Sequence, residues 1–250
     1  AEVAEQLINK YPNKKIRLLN QANSGKPAIA RNNGIKIAEG EFILPLDADD
    51  VLPPDAIENY LKAALDANTN NLVVFGWMQF FGTREGLWKT SNFEYSDLLR
   101  KNRVPSSSLF HKSVWKNNNG YPTNCIGYED WDYWVGAAEH KAKFICVNCV
   151  TSLYRETNAE SLMNAALLNH AWHFARIVLN HTAVYTHEEI AWAEEYTNGK
   201  SYQSHDKLTA KYFKKYPYAV SQQIINYPEL YSDSEVIWAN NFLNGLNSAI

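Results

Sequence analysis

Apolar positions along the first 155 residues follow two rhythms. Short apolar runs between polar turns mark strands, and apolar residues recurring every three or four positions mark helices. Val3, Leu7 and Ile8 share one helical face within residues 1–10. Residues 15–20 (KIRLLN) predict a short strand, and a polar turn from Gln21 leads into a helix over 27–38 that Gly40 ends. The apolar run at 41–46 predicts a strand that passes directly into Asp47-Ala48-Asp49-Asp50. Pro53, Pro54 and Asp55 open a helix over 55–67, with proline near its first turn. Leu72–Phe81 predicts a buried strand, 82–105 a hairpin and a short helix, 106–110 a strand and 111–117 a short helix. Helical texture from 128 to 140 and a strand over 144–153 complete the series. Strands alternating with helices predict an α/β fold with a mostly parallel sheet flanked by helices.

Past residue 156 the rhythm is helical throughout. Capping boxes stand at Thr157-x-x-Glu160, Thr186-x-x-Glu189 and Ser232-x-x-Glu235, and a further helix is expected over 204–215. The expected organisation is therefore an α/β domain over 1–155 and an all-helical C-terminal appendage over 156–250, with no internal repeat.

Composition narrows the class. The chain has 250 residues, of which 46% are hydrophobic and 20% charged, enough to bury a core and unlike a disordered tail. A net charge of −3 without a basic stripe argues against nucleic acid as a partner. No apolar run approaches the roughly 20 residues of a membrane span, and the acidic N-terminus does not read as a signal peptide. Three cysteines do not make a disulfide framework. Cys146-Val-Asn-Cys149 has zinc-like spacing, but on a strand those two thiols face opposite ways. These features place the chain in the cytoplasm, with the inner face of the membrane as a second expectation.

Asp47, Asp49 and Asp50 carry the clearest chemistry. Ligands of open α/β sheets bind beyond the carboxyl ends of strands. Clustered carboxylates there suit Mg²⁺ or Mn²⁺, which combine a few carboxylate oxygens with substrate phosphates. Asp50 alone reads equally as a cap before Pro53. An EF-hand is excluded because Leu52 stands where glycine is required. Gly25-Lys26 is no phosphate loop of the Walker type, since Pro27 follows. A second acidic group, Glu129, Asp130 and Asp132, lies among Tyr128, Trp131, Tyr133 and Trp134. Aromatic walls raise a carboxylate pKa and suit a general base, while acids at a helix start also favour the dipole. The loop with Gln21, Asn23, Lys26 and Arg31 offers donors to an anion, or is an ordinary polar turn. His170 and His173 share a helix face, where core packing competes with metal binding.

Taken in order, Gln21-x-Asn23-x-Gly25, Ala30-Arg31-Asn32-x-Gly34-Ile35, Leu46-Asp47-Ala48-Asp49-Asp50, Ser107-Ser108-Leu109-Phe110, Gly120-Tyr121, Glu129-Asp130-Trp131-Asp132 and Tyr154-Arg155 resemble the family 2 glycosyltransferases of GT-A fold. The resemblance covers residues 15–155. It implies inverting transfer of a sugar from a nucleotide-sugar, in most members a UDP-sugar, to a hydroxyl of a saccharide, a lipid-linked molecule or a protein. It implies Asp130 as general base, Asp49 and Asp47 as the DxD element that holds a divalent cation (Mn²⁺ or Mg²⁺), and Gln21, Asn23, Lys26, Arg31 and Arg155 at the donor. Two βα units that precede residue 15 in the family have no counterpart in this sequence. The expectation is a fragment, a fold completed by another chain or a homo-oligomer, or a non-catalytic scaffold relative. Peripheral membrane association is a further expectation.

Overall fold

The computed structural model describes residues 2–157, 170–198 and 231–248, together with Ser221, Ile224, Ile225 and Pro228. A five-stranded mixed sheet forms its centre, with strands β1 (Phe42–Ile43), β2 (Leu72–Gly82), β3 (Gly86–Trp88), β4 (Leu109–His111) and β5 (Lys143–Glu156). The longest ladder is parallel and joins β2 to β5, from Leu72 opposite Lys143 to Gly82 opposite Glu156. The β2–β3, β2–β4 and β1–β4 ladders are short and antiparallel. The expected α/β sheet is thus present, and its parallel character resides in that central pair. β2 is central because it is apolar on both faces: Leu72, Val73, Val74 and Phe75 are wholly buried. Gly76 lets β5 approach closely, since a Cβ there would lie 2.6 Å from the Thr151 side chain.

Helices cover the sheet. In chain order the described helices are α1 (Glu2–Lys10), α2 (Pro27–Ile37), α3 (Ala56–Asp66), α4 (Tyr95–Leu98), α5 (Lys112–Asn117), α6 (Glu129–Glu139), α7 (His170–Asn180), α8 (His187–Thr197) and α9 (Asp233–Ser248). Proline opens α2, where its missing N–H costs nothing. The Thr186 and Ser232 boxes form as expected, with each hydroxyl and backbone N–H engaging the glutamate three residues on. The Thr157 box and the helix expected over 204–215 lie outside the described residues.

One apolar core runs from Ala28 and Phe110 through Trp131 and Trp134 of α6 to Phe174, Ile177 and Trp192 of α7 and α8. The sheet domain and the helical region therefore share buried surface. Their contact is aromatic, with Trp131 stacked on Phe174 at 5.6 Å, and polar, with the Tyr185 hydroxyl donating to Leu99 O at 3.1 Å. His170 and His173 belong to this aromatic core, each 2% exposed. Burial lowers their pKa values to about 3 and about 4, so both are neutral at ordinary pH. Among the described residues no three His, Cys, Asp or Glu side chains cluster as a metal site. All three cysteines are free thiols, and no described helix is long and apolar enough to cross a membrane.

The strand expected over 15–20 does not form. Ile16, Leu18 and Leu19 are between 38% and 46% exposed in an extended segment. That segment is tethered by Arg17, which donates to Ile37 O at 3.2 Å and pairs with Glu39. A strand needs a hydrogen-bonded neighbour, and none faces this segment among the described residues. For the same reason the strand expected over 41–46 shrinks to Phe42–Ile43, the stretch that β4 can pair.

Candidate functional site

Arg31 of α2 and Asn102 of the loop before β4 meet the first turn of α6, and Arg31 also reaches the acidic turn that follows β1. Asp47, Asp49 and Asp50 follow β1, and an antiparallel bridge between Val51 and Leu153 pins their turn to β5. Arg155 closes the turn from above. Its backbone N–H donates to Asp50 Oδ1 at 2.9 Å and its Nε to Asp49 O at 2.9 Å. The Arg155 guanidinium also lies 4.4 Å over the Phe81 ring.

Arg31 of α2 joins the two acidic groups that are far apart in sequence. Its Nη2 reaches Asp47 Oδ1 and Oδ2 at 2.9 and 3.1 Å, and its Nη1 reaches Glu129 Oε1 at 2.7 Å. A planar guanidinium with fixed donors is suited to such a double grip. Burial alone would lower its pKa, but Asp47, Tyr121 and Glu129 raise it. The neighbouring Asn32 fixes α2 against the rest. Its Oδ1 accepts from the Tyr121 N–H and the Trp115 indole, and its Nδ2 donates to Tyr121 O. Gly120 makes this approach feasible: its φ is +95° and a Cβ would sit 2.8 Å from Asn32 Oδ1.

The three acids of α6 part company. Glu129 faces Arg31, and its second oxygen accepts from the Gly127 N–H at 2.8 Å. Asp130 turns to the loop before β4, where Asn102 Nδ2 donates to its Oδ2 at 3.0 Å. Asp132 points to the helical region and is wholly buried against His181 and Asn180 at 2.6 Å each. This side is a polar cleft of about 550 Å³, lined by Asn118, Asn124, Glu139 and His181 among others. Burial, reinforced by the Glu129 charge, pushes the Asp130 carboxyl up to about 7, against the opposing pull of Arg31, the Trp131 N–H and Asn102. A buried carboxyl poised near neutrality, next in sequence to the Arg31-bound Glu129, has the properties of a general base.

The acidic turn suits a divalent cation. The Asp49 residue is exposed, and no described hydrogen bond or ion pair engages its carboxylate. Asp50 is pushed up to about 6, chiefly by burial and further by Asp47 and Asp49, a concentration of negative charge that a cation would relieve. Both Asp47 oxygens are already hydrogen-bonded to Arg31. One free carboxylate is sufficient for an ion that takes its remaining ligands from phosphate oxygens and water.

Of the residues singled out in the sequence, Arg31, Asp47, Asp49, Asp130 and Arg155 come together here. Gln21, Asn23 and Lys26 serve their own turn: Gln21 Oε1 accepts from Asn33, Asn23 Oδ1 from the Gly25 N–H, and Lys26 is the residue before α2. An apolar-floored groove of about 480 Å³ runs from Pro27 and Arg31 along Phe42–Ala48. Asn102 and Glu129 are the functional neighbours that the sequence reading did not place in the site. Glu129 had a signal in its adjacency to Asp130. Asn102 had none, because its role is created by tertiary contact.

The family model described as glycosyl transferase family 2 matches residues 1–133, more than half of the chain. An uncharacterized glycosyltransferase of Methanocaldococcus jannaschii is 25% identical over 171 residues, which cover 64% of this chain and 58% of that protein. The chain thus spans less than two thirds of that relative's length. S. aureus TarS 1–349 in complex with UDP-GlcNAc is similar in structure, with a TM-score of 0.54 at 17% identity over 90% of this chain and 69% of that one. Mannosyltransferase PcManGT from Pyrobaculum calidifontis, solved with GDP-Man and Mn²⁺, gives 0.51 at 15% identity over 99% and 67%. At such identities the structural likeness speaks for the fold.

Proposed function

Since the chain belongs to glycosyl transferase family 2, we propose that its site transfers a sugar from a nucleotide-sugar, a UDP-sugar, to a hydroxyl acceptor with inversion. The observation that carries this reading is the Arg31 bridge, which sets the exposed Asp49 and the near-neutral Asp130 on one continuous scaffold. Complexes of related folds with UDP-GlcNAc and with GDP-Man and Mn²⁺ support a nucleotide-sugar donor.

The chemistry follows from the residues. Asp130 accepts the proton of the acceptor hydroxyl as its oxygen bonds to the anomeric carbon. The bond from that carbon to the donor phosphate oxygen breaks in the same displacement, and the nucleoside diphosphate leaves. Attack opposite the leaving group inverts the centre. Asp49 would hold Mn²⁺ or Mg²⁺, with Asp47 adding negative charge beside it. When bound, the ion acts as a Lewis acid toward the diphosphate oxygens. Arg155 and Arg31 border the donor, and Gln21, Asn23 and Lys26 form the loop at the groove entrance. We assign transfer to residues 1–155 and support of α6 to the helical region. We infer a cytoplasmic location, with the inner face of the membrane as the second one.

One observation favours a second reading. The apolar side chains of Ile16, Leu18 and Leu19 are exposed, and β1 has an unpaired edge among the described residues. A chain in this state holds the site residues in place without turnover, as a non-catalytic scaffold relative would. A panel of UDP- and GDP-sugars with Mn²⁺, read by nucleoside diphosphate release, separates the two. Release from one donor that is lost in Asp130→Asn supports transfer; no release from any donor supports the second reading.

A further inference from the structure

α6 carries Asp130 on one face and a row of ion pairs on another. Two positions along a helix turn it by about 200°, so Asp132 points away from Asp130. Asp132, Gly136 and Glu139, at i, i+4 and i+7, share that second face. The ring of His181, from the turn after α7, lies along it. Its Nε2 is 2.6 Å from Asp132 Oδ1 and its Nδ1 is 2.7 Å from Glu139 Oε2. Gly136 makes room for the ring, since a Cβ there would stand 2.9 Å from His181 Cε1. Asn180 completes the attachment by donating Nδ2 to Asp132 Oδ2 at 2.6 Å. One residue of the helical region thus spans α6 from its first turn to its last residue, along the wall of the polar cleft.

The two contacts of the ring are unequal. The Asp132 side chain is 0% exposed, whereas that of Glu139 is 24% exposed and can turn to water. An ionised carboxylate only accepts, so a wholly buried one depends on the donors that reach it. For Asp132 these are His181 and Asn180, both from the helical region. Elsewhere in the same turn of α6, Arg31 holds Glu129 and Asn102 holds Asp130. The turn is therefore gripped by the sheet domain on one side and by the helical region on the other. We propose that His181 is a positioning residue for Asp130, acting through its bond to Asp132, so that the helical region sets where the base stands. The role of Asp130 rests on the sugar-transfer reading.

Two substitutions separate the contacts. A glutamine amide nitrogen reaches the place of Nε2 and an asparagine amide nitrogen that of Nδ1. His181→Gln thus keeps a donor for Asp132, and His181→Asn keeps one for Glu139 alone. Nucleoside diphosphate release is measured with Mn²⁺ and the donor that turns over in the panel above. His181→Asn is expected to lower kcat about tenfold with the donor KM within about twofold, and His181→Gln to stay within about twofold of the parent in both. Circular dichroism at the assay temperature checks that the variants are folded. Should His181→Asn not fold, Asn180→Ser withdraws the other donor to Asp132 and is expected to lower kcat in the same way. Hydrogen exchange of the α6 amides at 132–135 reads the geometry without turnover, with protection kept in the Gln variant and reduced about tenfold in the variant that lacks a donor to Asp132. Equal kcat in the two variants, a loss confined to KM, or equal exchange overturns the proposal. If no donor turns over in the parent while exchange separates the variants as expected, the transfer reading falls and the hold of His181 on α6 stands.

Discussion

Asn102 donates its side-chain amide to Asp130 at 3.0 Å and thereby stabilises the charged form of a carboxyl that burial pushes toward neutrality. A base works in its deprotonated form, so transfer rises with pH through the Asp130 pKa of about 7. Removing the amide in Asn102→Ala withdraws one of the groups that lower this pKa. The acid limb of the rate profile is expected to move to higher pH, with the plateau rate less affected. A pH–rate series on both proteins measures this, and coincident limbs would contradict the assignment.

Replacing Asp130, the base we propose, separates function from stability. Asp130→Asn is expected to reduce transfer by about 100- to 10,000-fold while leaving donor binding intact. The same change removes a buried charge whose folded pKa is raised, so the native form binds more protons than the unfolded chain between about pH 4 and 7. Stability therefore falls as pH rises through that window in the parent, and the Asn variant escapes the loss. At pH 8 its Tm is expected to exceed the parent's, with a gain on the order of 1–3 kcal/mol. Denaturation at pH 5 and pH 8 gives the comparison.

The Arg31 fork is expected to resist even conservative replacement. Arg31→Lys retains the charge but has one point donor where three hydrogen bonds now run to Asp47 and Glu129. The acidic turn and α6 then lose their common reference, and misplacement of about 1 Å costs about 100-fold in transfer. Circular dichroism should show the fold retained. Near-normal turnover would mean that the bridge does not organise the site.

The helical region has a pH signature of its own. His170 and His173 have folded pKa values of about 3 and about 4 against an ordinary 6.5, so the unfolded chain binds more protons between those limits. Stability is lost as pH falls from 6.5 toward 4. His181 behaves in the opposite sense. Burial opposes its charge, but Asp132 and Glu139 raise its pKa, so its contribution is full below 6.5 and disappears as pH rises through the raised folded value. Thermal melts from pH 4 to 9 should show both limbs, and His181→Asn should flatten the alkaline one.

Much of this architecture was legible from residue pattern. The helices at 27–38, 55–67 and 111–117, the β2 strand and the Thr186 and Ser232 boxes appear close to where apolar spacing and capping chemistry place them. Such features depend on neighbours within one turn or one strand. The strand at 15–20 misleads because alternation reports which faces are apolar and says nothing of whether a pairing partner is present. Asp130 and the acidic turn were visible as residue types at a strand end and a helix start. Their connection was not, since Arg31, Asp47 and Glu129 meet only across 98 residues of chain. Glu129, Asp130 and Asp132 are adjacent in sequence, yet successive helical positions point in different directions and send Glu129 to Arg31, Asp130 to Asn102 and Asp132 to His181.

The most direct test of the account is a crystal of this chain with UDP and Mn²⁺, examined by anomalous scattering. The expected result is an Mn²⁺ peak on the Asp49 carboxylate with the UDP diphosphate completing its coordination, Arg155 beside the phosphates and Asp130 facing the sugar position. A peak bound elsewhere, or UDP seated away from the acidic turn, would contradict it.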